Sequence, residues 1–147
     1  MHRNNRDDCF KTLVTDYGPN PFAANLNRAT LQNAKYRTAL WTGDHLQLTL
    51  MSIPVNGEIG LEVHPDTDQF IRLESGNGMA MMGPSQECLN FQRPICGGFA
   101  VFVPAGTWHN IINTGNQPLK LYTIYAPPHH PHGTVQTTKA LADREEH

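Results

Sequence analysis

Apolar and polar residues alternate along the middle of this chain with the two-residue period of a β-strand. His45 to Ile53 reads HLQLTLMSI, the pattern of a half-buried strand. Segments of similar texture follow at Ile59 to His64, Gln69 to Leu73, Met79 to Met82, Phe99 to Val103, Trp108 to Asn113 and Leu119 to Tyr125. Turn formers separate them: Pro54 to Gly57, Asp66 to Asp68, Gly76-Asn77-Gly78, Gly83-Pro84, Pro104-Ala105-Gly106 and Thr114-Gly115-Asn116. Short strands with turn signals at this spacing predict an all-β sandwich or barrel. The stretch from Gly83 to Gly97 reads as loose. Met79, Met81 and Met82 read as core filling, with Met81 and Met82 on opposite faces of one strand.

The two ends have another texture. Residues 1–35 read as an N-terminal arm, with charge and turn formers through the first twenty. Residues 36–128 read as the β-barrel, and 129–147 as a C-terminal extension. Within it, TVQTTKALADREEH predicts a short, largely exposed helix. Tyr36, Arg37 and Trp41 are expected to precede the barrel and pack against its sheet rather than bind an anion.

A chain of 147 residues fits one domain that buries a core without disulfides. Its 12 Gly and 11 Pro are scattered, as frequent turns require. Eleven basic residues stand against 13 acidic ones, so no nucleic acid or anionic membrane surface is expected as a partner. Cys9, Cys88 and Cys96 have no metal-type spacing, and no apolar run is long enough for a signal or membrane segment. A reduced, cytoplasmic setting is the expectation.

Two motifs carry chemistry. Gly98 to Asn113 reads GFAVFVPAGTWHNIIN, which fits G-x5-P-x-G-x2-H-x3-N at every defined position. Gly57 to Gly76 reads GEIGLEVHPDTDQFIRLESG. Together they resemble the two signature motifs of the cupin family. In the first of those motifs a His, a second His two residues on, and a Glu are usual. Here Glu62 stands at the first His position, His64 at the second, and Gln69 where Glu is usual. The resemblance spans about Leu46 to Tyr125. It implies a single-domain cupin, a jelly-roll or double-stranded β-helix barrel, with one metal inside. Periodicity alone gives only an all-β domain.

The resemblance implies Glu62, His64, Gln69 and His109 as metal ligands. Two imidazoles, a carboxylate and an amide oxygen suit a divalent Zn, Fe, Mn, Ni or Co ion. The alternative is a cupin that has lost its metal, with Glu62 and Gln69 as ordinary polar groups of the barrel. Both positions keep donor atoms, and a bare Glu62 in an apolar barrel is costly, which favours the metal. The site's single negative charge leaves a net charge near +1 with a dication bound. That suits an anionic or chelating oxygen ligand.

His129, His130 and His132 form a second cluster in PPHHPHG. One reading brings a His over the barrel mouth as a fifth ligand or an acid–base group, and another makes the cluster a second metal site. The favoured reading is an exit segment stiffened by Pro127, Pro128 and Pro131 that packs outside the barrel. For function, two His with one Glu and one Gln are similar to the ligand set of cupin phosphomannose isomerases. A sugar or sugar-phosphate isomerase acting on a small, carbohydrate-like molecule is therefore the leading expectation. An iron- or nickel-dependent dioxygenase and a non-catalytic small-molecule binding module are the alternatives. Family resemblance and open barrel edges further suggest a homodimer.

Overall fold

A computed structural model describes residues 16–146. Two antiparallel sheets face each other across one core. The larger sheet contains β1 (Arg37–Thr42), β2 (Gln47–Ile53), β3 (Asp68–Ser75), β6 (Ala100–Val103), β8 (Leu119–Ala126) and β9 (Val135–Gln136), in the order β6-β3-β8-β2-β1-β9. The smaller has the order β5-β4-β7, from β4 (Asn77–Gly83), β5 (Phe91–Cys96) and β7 (Trp108–Asn113). From β5 to β8 the chain passes from one sheet to the other at every step, as in a jelly-roll barrel.

The core lies between the sheets. Met51, Ile53, Ile71, Leu73, Leu119 and Leu121 from the larger sheet meet Ala80, Met82, Ile95 and Ile111 from the smaller. Met79 and Met81 point to the other face of β4 and are half-buried, so only Met82 of that trio fills the core. The larger sheet is also covered outside. Helix α1 (Leu26–Gln32), capped by the Asn25 side chain accepting from the Arg28 N–H, packs there. Tyr17, Leu26 and Ala29 cover Leu40, Leu48, Leu50, Tyr122 and Ile124.

Several sequence expectations change here. Within the N-terminal arm, Tyr17, Leu26 and Ala29 cover the outer face of the larger sheet; residues 1–15, with Cys9, lie outside the described residues. Arg37 and Trp41 do not precede the barrel: they belong to β1, and Tyr36, next to it, lies in the core. The stretch expected to be loose contains β5. The strand expected at Ile59 to His64 is reduced to isolated bridges with β7. Helix α2 (Lys139–Glu146) is largely exposed, as its charges imply, but Ala142 anchors it in the core. Among the described residues no helix is long and apolar enough to cross a membrane.

Candidate metal centre

The residues around Glu62 run antiparallel to β7. Glu62 and His109 exchange both backbone hydrogen bonds: the Glu62 N–H donates to the His109 carbonyl (3.1 Å) and the His109 N–H to the Glu62 carbonyl (2.9 Å). Directly opposed residues carry their side chains on one face, so the carboxylate and imidazole meet inside. The turn after β6 completes the arrangement. Gly106 adopts a positive φ of 82°, natural for glycine, and its N–H donates to the His64 carbonyl at 2.9 Å. The two sequence motifs are thus joined backbone to backbone.

Glu62, His64 and His109 form one cluster, their ligand atoms all within 4.8 Å of one another. Glu62 Oε1 lies 3.1 Å from His64 Nε2 and 3.7 Å from His109 Nε2. Donor atoms about 2.0–2.2 Å from one ion are separated by about 3.0–3.5 Å in octahedral or tetrahedral geometry, so the cluster is near ligating spacing. Burial works to raise the Glu62 carboxyl pKa, but interactions with His109 and His64 outweigh it and hold the group well below the usual carboxylate range. Glu62 therefore presents a carboxylate, the charged donor a cation needs.

The tautomer of His109 is set by its backbone. Its Nδ1 donates to the Thr107 carbonyl at 2.9 Å, which can only accept. In the neutral ring Nε2 is then the lone-pair nitrogen; it is fully buried, with no hydrogen-bond partner among the described residues. This is the arrangement that orients a metal-ligating imidazole.

Gln69 pairs in register with Tyr125 and Val103, and Tyr125 pairs with Gln47. These side chains share the inner face of the sheet, and all are buried. The Tyr125 ring lies edge-on to His64, with ring centroids 5.8 Å apart. Gln69 Oε1, on the same inner face, is a second buried acceptor without a hydrogen-bond partner. Two unpaired buried acceptors inside one barrel, one of them clustered with a carboxylate, are donors that a cation would satisfy and that bare burial would penalise.

The expectation that PPHHPHG packs outside the barrel is corrected. The His129 ring lies 4.1 Å from the His64 ring between centroids and 5.5 Å from that of Tyr125. His130 is buried, and its Nε2 meets the Tyr125 hydroxyl at 3.4 Å. His132 donates to the Gly18 carbonyl at 2.7 Å. The prolines fix a local path without fixing its destination. That is set by Gln47, which has spent its amide on this segment: Oε1 accepts from the N–H groups of His129 (3.1 Å) and His130 (2.9 Å), and Nε2 donates to the His130 carbonyl (2.8 Å).

Asp16 adds a second fastening. Its fully buried carboxylate accepts from the Gly18, Thr42 and Gly133 N–H groups and from the Thr42 hydroxyl. Sequence reasoning passed over both residues; a lone Gln in a strand and a lone Asp in a charged arm carry no local signal. Asn113, which ends the second motif, is structural. Its amide donates to the carbonyls of Ile53, Pro54 and Gln117 and closes the chain around the turn after β7. Cys88 and Cys96 are exposed and free, away from the cluster.

Comparison with known proteins agrees with this architecture. Residues 49–125 match the cupin domain model. The chain is 62% identical to YrkC of Bacillus subtilis over 130 residues, 88% of this chain and 70% of that protein. It is 40% identical over 119 residues to protein L612 of Acanthamoeba polyphaga mimivirus, covering 80% of this chain and 72% of the viral one. The crystal structure of BH2720 from Bacillus halodurans is 58% identical and superposes with a TM-score of 0.88 over 88% of this chain and 98% of that one. The chain belongs to the cupin family.

Proposed function

We propose that this protein is a one-metal cupin that acts on a small oxygen-bearing molecule, with Glu62, His64, Gln69 and His109 holding the ion. One observation carries the reading: His109 Nε2 and Gln69 Oε1 are buried acceptors with no hydrogen-bond partner among the described residues, and His109 stands in one cluster with the Glu62 carboxylate and His64. A divalent ion bound by them supplies a Lewis acid that polarises a carbonyl or hydroxyl oxygen. The donor set, two imidazoles with a carboxylate and an amide, accommodates Zn, Fe, Mn, Ni or Co.

The protein side chains decide what else binds. Glu62 is the sole charge in the set, so a loaded centre keeps a positive balance and attracts an anionic or chelating oxygen ligand. The Glu62 side chain is 24% exposed, against 6% for His64 and 2% for His109, so the cluster opens to solvent on the carboxylate side. Two His, one Glu and one Gln resemble the ligand set of cupin phosphomannose isomerases, although there Gln leads and Glu follows, and on that resemblance the reaction is interconversion of an aldose and a ketose, or of their phosphates. The test is turnover of such substrates without oxygen and its arrest by a chelator. Oxygen uptake with a diol or diketone would replace this reading with a dioxygenase. Tight binding without turnover would replace it with a binding module.

A further inference from the structure

We propose that His129 is a ligand-binding residue of this centre, hydrogen-bonding to the small molecule that the metal holds, and that Gln47 is the residue that positions it. The proposal rests on the metal reading above. Its motive is a contrast among the imidazoles. His64 is engaged by Glu62, His109 by Thr107, His130 by Tyr125 and His132 by Gly18. The His129 ring makes no hydrogen bond to any described residue, although its backbone N–H is held by Gln47.

Its location gives the free ring a purpose. It packs 4.1 Å from the His64 ring between centroids, yet His129 remains exposed to solvent. The ring therefore stands at the open edge of the cluster, where an entering molecule passes. An imidazole ring with no partner is able to hydrogen-bond an oxygen ligand, such as a hydroxy acid.

Gln47 is built for positioning. It is 0% exposed, and its amide also donates to the Thr42 hydroxyl at 3.0 Å, so all four of its hydrogen-bonding positions are used. It fixes the backbone at His129 and leaves the ring unused. A ring held this way pays little ordering entropy when a ligand arrives.

The test loads the full-length protein with cobalt(II) and titrates it with glycolate, read by the visible spectrum of the bound cobalt. His129→Phe keeps the ring contact and removes the hydrogen bond. It should keep the parent's cobalt content and ligand-free spectrum while binding glycolate about tenfold more weakly, the size of one lost hydrogen bond. Gln47→Met should weaken glycolate in the same direction with cobalt content unchanged. Parent-like glycolate affinity in His129→Phe overturns the inference while leaving the metal reading intact. A changed ligand-free spectrum or lost cobalt also overturns it, by making His129 a metal ligand. A parent that takes up no cobalt defeats both readings together. If Gln47→Met does not fold, the proposal stands or falls on His129→Phe.

Discussion

His109 donates its Nδ1 proton to the Thr107 carbonyl at 2.9 Å, which in the neutral ring leaves Nε2 as the lone-pair nitrogen. The ligand-ready tautomer is built into the turn before β7 and needs no rearrangement when an ion arrives. The Glu62 carboxylate, 3.7 Å away, is then the only charge that can offset a dication in this donor set.

Glu62→Gln should therefore lower affinity for a divalent ion by at least about a hundredfold, because an amide replaces the single carboxylate donor. The fold should survive, since the substitution is isosteric and the backbone pairing with His109 is untouched. Calorimetric titration with zinc beside the parent gives the ratio; equal affinities would remove Glu62 from the site.

Gln69→Glu tests the fourth ligand. As a ligand, the new carboxylate adds a second negative charge at the ion, and affinity should rise. If Gln69 serves only the barrel, the same carboxylate is buried without a cation, and stability should fall by about 1–3 kcal/mol with no gain in affinity. Titration and urea unfolding of the same variant separate the two.

Much of this centre was legible in the sequence because its spacing is local. His64 and His109 follow from motif positions. Glu62 follows in the same way, as the residue at the first His position of the first motif. The β7 boundaries, Trp108 and Asn113, match the expected strand because Pro104 and Gly106 mark its entry. Other features depend on distant parts of the chain. β1, RTALWT, shows no clean alternation because Leu40 joins an outer apolar cluster with Tyr17, Leu26 and Ala29 while Ala39 is buried too, so both faces are covered. β5, FQRPIC, is an edge strand with only Ile95 buried, and Pro94 argues against a strand from sequence. The path of His129 and His130 is set by Gln47, more than eighty residues earlier, and no local pattern announces such a pairing.

Asp16→Ala should cost about 3–5 kcal/mol in urea unfolding, because it leaves the N–H groups of Gly18, Thr42 and Gly133 facing an empty buried site. The pH dependence has a definite sign. Burial opposes ionisation of Asp16, but hydrogen bonds from Thr42, Gly133 and Gly18 and the charge of His132 hold its pKa below the usual value. Its contribution is therefore present above the ordinary carboxylate range and is lost as pH falls through the lowered value. Stability unchanged by the substitution would show that the outer layer does not depend on this carboxylate.

His130 adds a second acid-sensitive element. Burial, followed by the charges of Arg37 and His129, pushes its pKa down to about 3, against about 6.5 in an unfolded chain. Below pH about 6.5 the unfolded chain takes up a proton that the folded one refuses. Stability should thus be full above that pH and fall by a few kcal/mol as pH drops toward 3. His130→Gln should flatten this part of the profile in metal-free protein. An unaltered slope would mean that His130 titrates normally in the fold.

The most direct test of the metal centre is elemental analysis of the purified protein beside His64→Ala and His109→Ala. The account predicts about one equivalent of a divalent transition metal in the parent, or on loading it, and loss of most of it in each variant. A parent that takes up none, or variants that keep a full equivalent, would contradict it.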